Sequence, residues 1–161
     1  MDYLQFSREF EKFHAKLRLP QNCIEPAPPT TIPVGFYFWR FEWQLIFKDD
    51  NKYLRIWERY TKLKGLDLSH RVSFAFHYGA VVEHDNDGLA VRDSQDPVDI
   101  RIDNINGPAH LHYQAPKPHI PQASVEGLNL EALDMFTFVK AIILHRKSGK
   151  PIDQILGFRI R

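Results

Sequence analysis

The run Phe38-Trp39-Arg40-Phe41-Glu42-Trp43-Gln44-Leu45-Ile46-Phe47 alternates, with Trp39, Phe41, Trp43, Leu45 and Phe47 on one side and Arg40, Glu42 and Gln44 on the other. A period of two is the mark of a half-buried strand. Lys48-Asp49-Asp50-Asn51-Lys52 supplies turn residues, and residues 53–60 resume an extended pattern, so the two segments are expected to pair as a hairpin. After the break at Lys62-Leu63-Lys64-Gly65, residues 70–78 alternate again. Here Val72, Phe74 and Phe76 fall on one side, and Arg71, Ser73, Ala75 and His77 on a side expected to be accessible. Asp87-Gly88 favours a turn between residues 80–82 and 89–91, and residues 98–103 form a further strand that buries Val98, Ile100 and Ile102.

Helices flank this meander. Tyr3, Phe6, Phe10, Phe13 and Leu17 recur at spacings of three and four, which predicts an amphipathic helix over 2–19, ended by Pro20. Residues 20–35 carry too many prolines for a helix or a central strand and read as an extended connector. Toward the C-terminus, Asn129 is a good N-cap, residues 130–147 have helix-forming composition, and Gly149 with Pro151 is a stop, giving a helix over 129–148. Residues 151–156 add a short helical turn. The expected architecture is one α+β domain over 1–161: an N-terminal helix, an antiparallel meander of five to six strands within 36–113, and a C-terminal helix packed on the sheet.

Composition narrows the function classes. Against 20 Asp+Glu stand 21 Lys+Arg, a formal charge of +1, so no overall basic excess marks a nucleic-acid binder and any such surface is local. The single Cys23 can make no internal disulfide, the first residues carry charges where an export signal is apolar, and no apolar run approaches the roughly 20 residues of a membrane span. These features predict a soluble, cytoplasmic protein with no membrane partner. The aromatic strand is read as core filling rather than as a base-stacking platform. Glu83-His84-Asp85-Asn86-Asp87-Gly88 lacks the spaced oxygens and distal Glu of a calcium loop.

Chemistry concentrates in Arg101-Ile102-Asp103-Asn104-Ile105-Asn106-Gly107-Pro108-Ala109-His110-Leu111-His112. If Arg101 and Asp103 end one strand and His110 and His112 begin the next, the turn between them gathers all four on one face, and His77 joins if its strand is a neighbour. Cleaving RNA without a metal needs a proton acceptor for the 2′-hydroxyl, a proton donor for the leaving 5′-oxygen and a cation for the phosphorane. Imidazole suits both proton roles, and the planar guanidinium suits phosphate. Asp103 could hold a histidine tautomer. The same residues allow a metal site built from His110 and His112 with His77 or Asp103, or a merely solvated polar sheet face. His14, His84, His119 and His145 stand outside the cluster, with His119 first in line among them for a direct role.

Residues 70–78, then Arg101-Ile102-Asp103-Asn104, then His110-Leu111-His112 make the chain resemble the TumE-like toxins of prokaryotic toxin–antitoxin pairs, with Ile102 where that family has an aromatic residue. The resemblance covers about residues 39–145. It implies a toxin acting on RNA and neutralised by a cognate antitoxin protein, and it carries over to Arg101, Asp103, Asn104, His110 and His112, and further to His77 and Tyr78. The resulting expectation is a metal-independent ribonuclease without cofactor. His110, His112, Arg101, Asp103 and His77 would be catalytic, Asn104, Arg71 and Tyr78 would bind substrate, and a homodimer is allowed. The competing expectations are a metal-dependent hydrolase and a non-catalytic module that binds protein or nucleic acid.

Overall fold

Alternating and helical patterns become elements in a computed structural model that describes residues 3–34, 38–62, 69–80, 83–84, 90–91, 98–114 and 119–161. Helix α1 (Tyr3–Lys16) is followed by β1 (Cys23–Ile24), β2 (Thr30–Val34), β3 (Phe38–Phe47), β4 (Lys52–Lys62), β5 (Ser69–Ala80), β6 (Glu83–His84), β7 (Ala90–Val91), β8 (Val98–Asp103), β9 (His110–Tyr113) and β10 (Ile120–Pro121). Then come β11 (Val125–Glu126), α2 (Met135–Ser148), α3 (Ile152–Leu156) and β12 (Arg159–Ile160). The main sheet has eight strands in the order β1-β3-β4-β5-β8-β9-β10, with β2 also on β3, and its pairings are antiparallel. The α+β class holds, with more strands than the five to six expected.

The added strands come from the prolines. Thr30–Val34 pairs with β3 from Thr30 opposite Glu42 to Val34 opposite Phe38, although it contains Pro33. Proline lacks the donor a central strand needs but is tolerated at a sheet edge, and β1 and β2 both lie on β3's outer edge. The connector is therefore partly edge strand, at Cys23–Ile24 and Thr30–Val34. Pro121 sits likewise in β10, the edge strand at the other end of the sheet.

One face of the sheet carries the core. Phe6 and Phe10 of α1 are buried and pack at ring-centroid distances of 4.9 to 5.1 Å against Trp39 and Phe41, while Phe10 meets Trp43 edge-on at 5.2 Å. Trp39 stacks on Tyr60 at 4.0 Å, Phe13 meets Phe136 of α2 at 4.9 Å, and Phe138 meets Phe76 at 5.4 Å. The aromatic strand is thus core at Trp39, Phe41, Trp43 and Phe47, as its alternation implies, while Phe38 is exposed. Helix α1 ends at Lys16 rather than 19: Leu17 already closes a tighter turn onto the His14 carbonyl, and the residue before Pro20 is disfavoured from helical geometry. Helix α2 starts at Met135, not near Asn129. Asp134 is its N-cap, its side chain accepting from Thr137 N, whereas Asn129 caps only a local turn by accepting from Ala132 N. The stop is as expected, with Gly149 in the left-handed region at φ 71°.

Strands β6 and β7 pair, Glu83 with Val91 and His84 with Ala90, so the strand facing 90–91 is 83–84 rather than the expected 80–82; residues 81–82 and 85–89, with the Asp-Gly pair, lie outside the described residues. So do the break at 63–65 and Phe36-Tyr37. Among the described residues no helix is long and apolar enough to cross a membrane.

Candidate functional site

The second face of the sheet carries the polar chemistry. Register places Arg55, His77, Arg101 and His112 in one cross-strand row, with Ala75, Asp103 and His110 in the next. Strand β8 pairs directly with both β5 and β9, so the three chemistry-bearing segments are neighbours. The hairpin from β8 to β9 is fixed by Asn104 and Glu131. Asn104 Oδ1 accepts from Phe74 N at 2.8 Å, Asn104 N donates to Phe74 O, and Glu131 accepts from Ala109 N at 3.1 Å. Asn104 extends the ladder where β8 ends. Its side chain helps position the hairpin, with Oδ1 on the Phe74 N–H and Nδ2 3.5 Å from both the Val72 carbonyl and Glu131 Oε2. Asn104→Ala leaves the Phe74 N–H without its side-chain partner and should cost about 1–3 kcal/mol in a denaturant titration.

Asp103 is fully buried, and its Oδ2 pairs with Arg101 Nε at 2.5 Å. Its Oδ1 accepts from Ile105 N at 3.3 Å and lies 3.5 Å from His110 Nε2. His110 is 7% exposed and its Nδ1 donates to the Pro108 carbonyl at 3.1 Å, which sets the ring's tautomer and orientation. Around it stand His112, with ring centroids 5.1 Å apart, and His119, stacked at 4.3 Å and 9°. His112 and His119 are 4.5 Å apart, and His119 is exposed, so the cluster opens to solvent through it. Burial, the Arg101 guanidinium, and the neighbouring His119 and His110 together push the His112 imidazole down to about 4, against the weaker upward pull of Asp103. His112 is therefore neutral at cellular pH, a proton acceptor or a lone-pair donor.

The expected gathering of Arg101, Asp103, His110 and His112 is what the register produces. The other expected members lie differently. His77 is in the row beside Arg101 but is 3% exposed and faces Tyr53, whose hydroxyl is 3.2 Å from His77 Nε2 with the rings stacked at 4.9 Å. The side expected to be accessible is closed at Ala75 and His77. Tyr78 lies on the opposite face, buried, accepting from Arg146 Nη1 at 2.7 Å. Arg71 has also crossed to the helix-covered face. Arg59 pairs with Ser73 and Tyr60 with Arg71, so Val72 is skipped in a bulge and the alternation changes side there. Arg71 donates to Glu58 at 2.9 Å and to the Leu133 carbonyl at 2.7 Å, with its guanidinium over Phe74.

His119 is the member the sequence understated. It precedes Ile120, which pairs with Leu111, and so runs level with His112 on the adjoining strand line. The signal was the edge pairing of β10, which a segment bounded by prolines conceals.

No match was found to any family model, curated protein or solved structure.

Proposed function

We propose that the chain is a toxin of the TumE-like kind that cleaves RNA at the mouth formed by His110, His112 and His119, without a metal. One observation carries the reading: a buried Arg101–Asp103 pair stands directly behind imidazoles of which one is fixed and one is neutral. Among the described residues the Arg101 guanidinium engages Asp103 through Nε alone, which leaves its terminal nitrogens for phosphate oxygens. His112 accepts the 2′-hydroxyl proton as the 2′-oxygen attacks phosphorus. His110, oriented by Pro108 and Asp103, enters this step as the imidazolium and gives its Nε2 proton to the departing 5′-oxygen as the P–O5′ bond breaks. The products are a 2′,3′-cyclic phosphate and a 5′-hydroxyl end. Arg101 stabilises the charge that builds on phosphorus between these steps.

Near-neutral charge fits an enzyme that meets RNA at a local mouth rather than along a basic surface. The setting we propose is the cytoplasm, with a cognate antitoxin protein covering the site. The purified chain, incubated with single-stranded RNA in chelator, should produce fragments bearing 2′,3′-cyclic phosphate. RNA left intact by folded protein would reject the reading.

A further inference from the structure

His110 and His112 stand two residues apart on β9 and share a face, and His119 arrives beside them ahead of β10. One ring nitrogen from each lies within 4.8 Å of the others. His110 Nε2 and His112 Nε2 are buried and have no hydrogen-bond partner among the described residues. Buried polar nitrogens are ordinarily satisfied, and a pair left open on one small cluster marks a missing partner. The orientation of His110 is that of a metal-ligating imidazole, its Nδ1–H donated to a backbone carbonyl so that Nε2 presents its lone pair.

We infer that His110, His112 and His119 form a three-histidine site for one Zn²⁺ ion or a similar transition metal, with its fourth position open to solvent. An all-imidazole set favours such ions over Mg²⁺ and Ca²⁺, which prefer oxygen. Zn–N bonds of about 2.0–2.1 Å in a tetrahedron place the nitrogens about 3.3 Å apart, so the rings must close by up to about 1.5 Å. His119 is exposed and supplies that movement. Asp103, 3.5 Å from His110 Nε2, sets a negative charge against the Arg101 cation beside the site.

The consequence for activity rests on the RNA-cleavage reading. Binding is ligand exchange: each nitrogen gives its lone pair to the ion, water leaves the ion, and no bond in RNA breaks. An imidazole whose lone pair is on zinc cannot accept the 2′-hydroxyl proton. Zinc therefore switches the toxin off.

The test is titration of the chelator-treated full chain with Zn²⁺ against a chromophoric zinc indicator, with RNA cleavage measured on the same samples. One zinc per chain is expected. His119→Ala should weaken it by at least the roughly 10 to 100-fold that loss of an outer-shell partner costs, and His70→Ala, an exposed change on β5, should leave it unaltered. Absence of stoichiometric binding, or equal affinity in His119→Ala, overturns the site. Zinc that binds and accelerates cleavage overturns the inhibitory role. Zinc that binds while neither form cleaves RNA upholds the site and rejects the proposed function instead.

Discussion

His112→Ala should lower RNA cleavage by about 10²–10⁴-fold, the usual contribution of a positioned proton-transfer group, while thermal unfolding stays close to that of the wild type. The reasoning for intact stability is specific. His112 is only partly buried, and its Nε2 makes no hydrogen bond among the described residues. Its charged form is disfavoured by burial and by Arg101, so removal sacrifices no favourable ion pair. His112→Gln should be equally inactive, since an amide retains shape and polarity but cannot take up the proton. A cleavage assay beside a melting curve separates the outcomes. Full activity in either variant would remove His112 from the chemistry, and a large fall in melting temperature would make its role structural.

Arg71→Met should cost about 3–5 kcal/mol, because it leaves Glu58, 1% exposed, as an unpaired buried carboxylate. For a chain of this length that corresponds to a fall of roughly 6 to 20 °C in melting temperature. Burial already pushes the Glu58 carboxyl up from its usual 4.5, with Arg71 and the Tyr60 hydroxyl pulling the other way. Loss of Arg71 removes the largest of those opposing influences. A carboxyl raised in the folded state is penalised once the unfolded chain ionises, so the variant should be destabilised more at pH 7 than at pH 4. Glu58→Gln combined with Arg71→Met should recover much of the loss. Cleavage per folded molecule should be unchanged, as Arg71 lies across the sheet from the histidines. Lost cleavage with unaltered stability would restore Arg71 to substrate binding.

The contrast between these two residues shows what the sequence could convey. His110, His112, Arg101 and Asp103 were legible because strict alternation on β8 and β9, joined by turn residues, fixes which side chains share a face. Arg71 was misplaced by a single skipped residue, Val72, and a bulge leaves no trace in an alternating pattern. Edge strands β1, β2 and β10 were obscured by prolines, whose meaning depends on whether a neighbour needs their missing donor. His119 falls outside the cluster legible in the sequence because the β10 pairing that brings it level with His112 was obscured. The start of α2 shifted because two residues of capping type, Asn129 and Asp134, precede it, and only packing of Met135 and Phe138 into the core selects the second. The closure over His77 involves contacts beyond any one strand's pattern, and periodicity carries no information about it.

The most direct measurement is induced expression in a bacterial host of the wild type and the His110→Ala/His112→Ala double variant, following growth and total RNA integrity. Growth arrest with RNA breakdown from the wild type alone is the expected result. Unimpaired growth with intact RNA while folded wild type accumulates, or equal toxicity of the double variant, would contradict the assignment of RNA cleavage to this histidine cluster.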